Sequence, residues 1–219
     1  LKLGNETAAC AGNFVEAFAA EGDYSSLPGG AQPPAFAGGS RVRDLEFQSN
    51  ELSATCRVSY QQDGMRFSLL GGLYVEDFEF EGTSLATRNI GTSLPANLQA
   101  TLRGLGAQLL VPVSLTANTE GDYQTGYRIG AAFEIPDIAL RAQVLYRSEV
   151  EHDDNVGTGT LSAAGDAFVR LADGRQVSVP VAATLLRAQG ITVPSALLGA
   201  LPTEGSVLAT GLSASQNPA

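Results

Sequence analysis

Tryptophan is absent from this chain, histidine and methionine occur once each, and cysteine only at Cys10 and Cys56. One histidine leaves no metal-spaced pair, and the surrounding sequence offers no GxSxG element and no glycine loop for phosphates. We therefore expect no enzyme, no bound metal and no other cofactor. Cation is scarce as well: 13 Lys and Arg stand against 23 Asp and Glu, a net charge of −10. Neutralising a phosphate backbone needs clustered base, so nucleic acid is excluded as a partner. No apolar run reaches 18 residues, which removes a transmembrane helix; it leaves a transmembrane β-barrel open, because such strands need only about 9–11 residues. Two cysteines make no disulfide framework, and the sequence leaves a single disulfide and two buried thiols as alternatives. The chain opens on Leu1-Lys2-Leu3 with no charged-then-apolar leader, and is read as a mature or partial chain.

What is present is alternation. From Tyr127 to Val150 the sequence pairs with itself around Pro136-Asp137, setting Phe133 opposite Leu140, Ala131 opposite Ala142, Ile129 opposite Val144 and Tyr127 opposite Tyr146. The other face carries Arg128, Arg141, Gln143, Arg147 and Glu149. A second hairpin closes on Asp63-Gly64, a dipeptide suited to a two-residue turn with positive φ. It brings Tyr60 to Phe67, Val58 to Leu69 and Leu52 to Val75, with all apolar residues on one face. Such a face packs on a core in a soluble sheet and meets lipid in a membrane barrel.

The connections decide between the two. Tight turns at 62–65 and 135–138 alternate with links of about 30–40 residues at roughly 19–48 and 82–121, the short-turn, long-loop pattern of an outer-membrane barrel. Within the second link, Leu94, Leu98, Leu102, Leu105 and Leu109 recur at helical spacing over 93–110, with Ser93 as cap and Pro95 in the first turn. This stripe either packs on a barrel rim or offers an apolar landing surface for a hydrophobic molecule. His152 to Asn155 form an acidic cluster, 166–181 a small hairpin around Asp173-Gly174, and the stretch from Ala182 mixes helix-like ATLLRAQ and apolar PSALLGAL with Gly and Pro breaks. The fold expected is all-β: a transmembrane antiparallel β-barrel of which this chain supplies about five strands, with long outer loops containing short helices. Residues 1–150 carry the strands and two loops, and 151–219 an outer loop region.

Residues 126–153, GYRIGAAFEIPDIALRAQVLYRSEVEHD, resemble a hairpin of the FadL-like outer-membrane transporters of long-chain fatty acids and other hydrophobic compounds. The YRSEV element at 146–150 is the most specific part; 51–80 is similar to the preceding hairpin, and 13–24 to a strand end. The resemblance covers residues 10–155 and implies a 14-stranded barrel in the bacterial outer membrane, monomeric at full length. It further implies capture of ligand by apolar outer loops and passage through the wall. The residues expected to meet substrate are then Leu98, Leu102, Leu105 and Leu109 at the outer loops and Arg147 and Glu149 on the lumen face. Arg57, Arg66, Arg128 and Arg141 with Glu134 are expected to complete a charge ladder there. The family's basic residue near the end of the strand matched by 65–80 has no counterpart, since that region reads Glu76, Asp77, Glu79 and Glu81. The partners implied are a long-chain fatty acid or other hydrophobic small molecule, and outer-membrane lipid. A general porin or a structural outer-membrane barrel is the alternative.

Overall fold

The computed structural model describes residues 1–151 and 156–215, so the acidic cluster from His152 to Asn155 and the terminal Asn217-Pro218-Ala219 lie outside the described residues. Strand accounts for 57% of the structure and helix for 14%. The elements are β1 (Lys2–Gly4), β2 (Ala8–Asp23), β3 (Ser40–Gln62), β4 (Met65–Glu76), β5 (Glu79–Asn89), α1 (Ala96–Gly104), β6 (Gln108–Glu120), β7 (Gln124–Ile135) and β8 (Leu140–Arg147). They continue with β9 (Val156–Ala163), β10 (Phe168–Arg170), β11 (Gln176–Ser178), α2 (Val179–Ala188), α3 (Ser195–Gly199) and β12 (Val207–Ser215). All the strands join one antiparallel sheet, which is not closed. No described helix is long and apolar enough to cross a membrane.

The sheet is a meander of very long passes. β4 and β5 lie end to end along one edge of β3, with Gln62 paired to Met65, Glu51 to Glu76 and Gln48 to Glu79 in a single register. At the join, the Asp77 N–H donates to the Asn50 carbonyl at 3.1 Å and the Asn50 N–H to Asp77 Oδ1 at 2.7 Å. These two bonds carry the ladder across the break. β7 and β6 run along the far edges of β4 and β5, β8 follows β7, and β9 and β10 follow β6. β2 covers the other edge of β3, and β12 the outer edge of β9.

Because side chains alternate along a strand, this continuous register divides the sheet into two tiers. In the lower tier (the second half of β3 with β4, β7 and β8) one face carries Leu52, Val58, Tyr60, Phe67, Leu69, Leu73, Tyr127, Ile129, Val144 and Tyr146, all exposed. The opposite face carries the charged and small residues, which are buried on β3 and β4 and exposed on β8: Tyr74 is 1% exposed and Glu51 2%. In the upper tier that same side turns apolar. Phe47 stacks on Phe80 at 5.0 Å, and beyond it Ala86, Leu109, Val111, Val113, Ala163 and Val169 form the core under the helices. The reverse side of the upper tier is covered in part by residues 24–39, where Thr87 Oγ1 donates to the Pro34 carbonyl and the Gly38 N–H donates to the Thr87 carbonyl.

Several expectations hold residue for residue and others are corrected. The 52–75 hairpin has the expected register, and Asp63 and Gly64 both take positive φ, 51° and 79°. The second hairpin is two residues out: Phe133 pairs with Ala142, Ala131 with Val144 and Ile129 with Tyr146. Its connection is four residues, a 3₁₀ turn Pro136–Ile138 followed by Ala139 at φ 53°, so each partner moves by two and every residue keeps its face. The links at 19–48 and 82–121 are about half strand, shrinking to 24–39 and 90–107, and the strands among the described residues number twelve rather than five. Those extensions mix polar and apolar residues on both faces, so no alternation announces them; pairing with the adjoining ribbon extends them. The stripe 93–110 is helical only over α1, with Pro95 rather than Ser93 at the cap and Leu109 already in β6. The segment after Val156 contributes β9, β10 and β12 to the sheet and is not a separate loop.

Cys10 and Cys56 sit directly opposite each other in β2 and β3 and form a disulfide, resolving the open choice between bridge and thiols. Closing a loop across 46 residues removes freedom from the unfolded chain worth roughly 2–4 kcal/mol. Cys10→Ser is expected to lose that amount in a urea titration and to abolish the mobility difference between reduced and non-reduced samples on a gel.

Candidate functional site

Two features on the same side of the sheet can meet a ligand, and the lower one is built on glycine. Tyr74 of β4 lies opposite Gly126 of β7, and any Cβ at 126 would run into its ring. The ring therefore lies flat across the neighbouring strand. Arg128 packs over it with the guanidinium carbon 4.8 Å from the centroid, and Arg147 at 4.3 Å. A cation over an aromatic face gains from the ring quadrupole, more so when partly desolvated. The Tyr74 hydroxyl donates to the Ser148 carbonyl at 2.7 Å, fixing the end of β8.

Both arginines converge on carboxylates from other strands. Glu51 Oε2 accepts from Arg128 and, at 3.2 Å, from Arg147, which also pairs with Glu76. Ser49 Oγ donates to Glu76 Oε1 at 2.8 Å. A second cluster lies nearer the turns, where Glu134 receives Arg66 at 3.4 Å and Arg141 at 3.2 Å. Between them Ser59 and Ser68 share a hydrogen bond at 2.9 Å. The expected charge ladder thus forms from Arg66, Arg128, Arg141, Arg147 and Glu134, while Arg57 reaches only the Glu6 carbonyl, at 3.5 Å. Glu149 is exposed past the end of β8 and is not among the partners of Arg147. The acids that hold Arg147 are Glu51 and Glu76, 96 and 71 residues away, which no local pattern joins to it. Oε1 of Glu51 is buried with no donor among the described residues, leaving the cluster one free acceptor.

At the junction of the tiers Tyr123 hydrogen-bonds the buried Asp77. That bond first, and then the carboxylate charge, raise its phenol above the ordinary tyrosine range.

The upper feature is an apolar cleft between the helices and the sheet. Leu98 and Leu102 of α1, Leu109 of β6, Val169 of β10, Leu186 of α2 and Leu198 beside it in α3 line a narrow cleft of about 50 Å³ that opens to the surface. Pro95, Pro180 and Pro194 each sit at or just inside a helix start, where a missing N–H costs nothing. Three of the four expected leucines, Leu98, Leu102 and Leu109, line this cleft, although Leu109 comes from a strand. Leu105 caps α1 and lines the adjoining hollow with Leu185 and Gln189. α2 and α3, which supply the opposite wall, come from the stretch read as helix-like and apolar runs but given no part in the site. Their signal was the run VPVAATLL, an apolar helix start behind Ser178. Among the described residues no group of three or more His, Cys, Asp or Glu is placed to hold a metal.

No family model, curated protein or solved structure matches the chain.

Removing Glu51 should cost far more than removing Glu149. Glu51→Gln leaves two guanidiniums short of a buried partner and is expected to lower stability by about 2–3 kcal/mol, less than a fully buried pair because Arg147 is 43% exposed. Glu149→Gln is expected to stay within about 0.5 kcal/mol. Urea midpoints of the two variants, measured in parallel, check the contrast.

Proposed function

We propose that this chain forms part of the wall of an outer-membrane β-barrel of the FadL-like kind, which takes up long-chain fatty acids or similar hydrophobic compounds. The observation that carries the reading is the inverted lower tier. Val58 is 62% exposed, Leu69 70%, Ile129 60% and Val144 69%, while Glu51, Ser53, Ser59, Ser68 and Tyr74 on the polar face behind them are buried. A soluble protein rarely leaves so large an apolar surface bare, and lipid is the solvent that such a face suits. The apolar stretch is nine residues tall, Leu52–Tyr60 against Phe67–Val75, which is the length a tilted strand needs to cross a bilayer. Aromatic residues gather at its two ends, Tyr60, Phe67 and Phe133 near the turns and Tyr127 and Tyr146 toward the junction, as at the two interfaces of a membrane.

On this reading the polar face looks into a lumen, and its ion pairs hold adjacent strands together across it. The apolar cleft under α1, α2 and α3 lies on the lumen side of the wall above the membrane band, and receives the ligand before it descends. Outer-membrane lipid covers the outside, and the full-length protein works as a monomer. The exposed edge and face should make the isolated segment aggregate in water without detergent.

The second reading, a general porin, rests on the charged face, which would equally line a water-filled pore. Uptake separates the two. Cells expressing the full-length protein are expected to accumulate radiolabelled hexadecanoate above an empty-vector strain and to gain no permeability to small sugars. Sugar passage with no gain in fatty-acid uptake would replace the transporter by the porin.

A further inference from the structure

The apolar cleft ends in a polar hollow of unusual charge. The two spaces meet at Leu102 and Leu109, which line both. The hollow is edged by Asn89, Thr92, Gln99, Arg103 and Gln108. In a chain with 23 acidic and 13 basic residues, neither space nor the adjoining hollow at Leu105 is lined by a single Asp or Glu, and Arg103 is the one charged group among their lining residues. Arg103 belongs to none of the ion pairs among the described residues.

Of the neighbouring side chains, Asn89 keeps a donor free, whereas Gln99 spends both of its amide hydrogens on backbone carbonyls. Asn89 Oδ1 accepts the Gly91 N–H at 2.9 Å, a bond only the amide oxygen can make, so its NH₂ remains available toward the hollow. Gln99 donates to the carbonyls of Thr92 and Leu94 at 2.9 and 2.7 Å, which fixes the turn before α1 against the helix itself. Leu98 and Leu102 face the apolar side from the same helix, so α1 presents an apolar wall to one space and a cation to the other. An arginine in the last turn of a helix also favours the helix dipole, but that role does not require it to edge a hollow free of acid.

We propose that Arg103 selects the head group of the ligand: the cleft takes an amphiphile whose apolar tail lies between α1, α2 and α3 and whose single anionic head meets the Arg103 guanidinium and the Asn89 amide. This inference rests on the reading of the cleft as the capture site and adds a charge requirement to it. A guanidinium offers several donors in a fixed plane, matched to a carboxylate in a way that a neutral hydroxyl cannot use.

Photoaffinity labelling tests it on the full-length protein in outer-membrane vesicles, with a diazirine-bearing hexadecanoic acid and the matching hexadecanol. Cross-links are located by mass spectrometry on residues 94–109 and 179–201. In the unmodified protein both probes should label these segments, the acid more strongly. Arg103→Gln is expected to lower labelling by the acid at least about tenfold, the scale of one charged hydrogen bond, and to leave the alcohol unchanged. Arg103→Lys should restore most of the loss. Equal loss for both probes would make Arg103 a prop for α1 and overturn the selection. No change for either would overturn it while leaving the capture site standing. Absence of labelling by both probes in the unmodified protein would remove the capture site itself.

Discussion

The rest of the structure depends on one continuous register, the pairing of residues 44–62 with residues 65–83. It holds a single register from the Asp63-Gly64 turn to Asp44, and the bonds between Asn50 and Asp77 carry it through the only gap. Since side chains alternate with a period of two, keeping register through the gap also keeps faces. Tyr74, Glu76, Phe78, Phe80, Gly82, Ser84 and Ala86 therefore rise along one side of a single ribbon, through ions, aromatics and then aliphatic core. One change of polarity along that ribbon makes one end of the sheet need cover on one face and the other end on the opposite face. The helices meet the first need.

The polar cluster illustrates how such a face is kept from being a liability. Burying charge is costly unless every partner is present, and here the partners come from three different strands and the end of β8. Glu51 belongs to β3, Glu76 to β4, Arg128 to β7 and Arg147 to β8, with the Tyr74 ring beneath both cations. Each ion pair thus crosses a strand boundary and adds to the backbone ladder rather than duplicating it. The close approach of ring to strand depends on Gly126, which is why a residue with no side chain lies at the centre of a charged network.

How much of this was legible in the sequence depended on contrast and distance. The 52–75 hairpin could be read pair by pair because its apolar and polar faces differ sharply and its turn has only one plausible length. The 127–146 hairpin lost two residues because nothing in Pro136-Asp137-Ile138-Ala139 marks alanine as the residue that takes positive φ. The upper extensions were invisible for a different reason: Arg41, Val42, Arg43, Asp44 and Leu45 show no period, and they are strands because the ribbon beside them is. Leu109 continued a helical spacing across Gly106 by coincidence, yet reached the cleft from β6 all the same. The cluster at Arg147 was half seen. The face was right, but the acid chosen was its sequence neighbour Glu149, since Glu51 and Glu76 arrive only through the fold.

The disulfide has a consequence for how the sheet can come apart. Cys10 and Cys56 are direct partners close to one end of a pairing that runs from Ala8–Val58 to Asp23–Asp44, and the bridge acts on that pairing as a rivet acts on two overlapping plates. The plates can be peeled from either end, but one cannot slide along the other by even a single notch. A sheet whose two faces meet such different surroundings tolerates fraying far better than sliding, because sliding by one residue would present every charge to the wrong side.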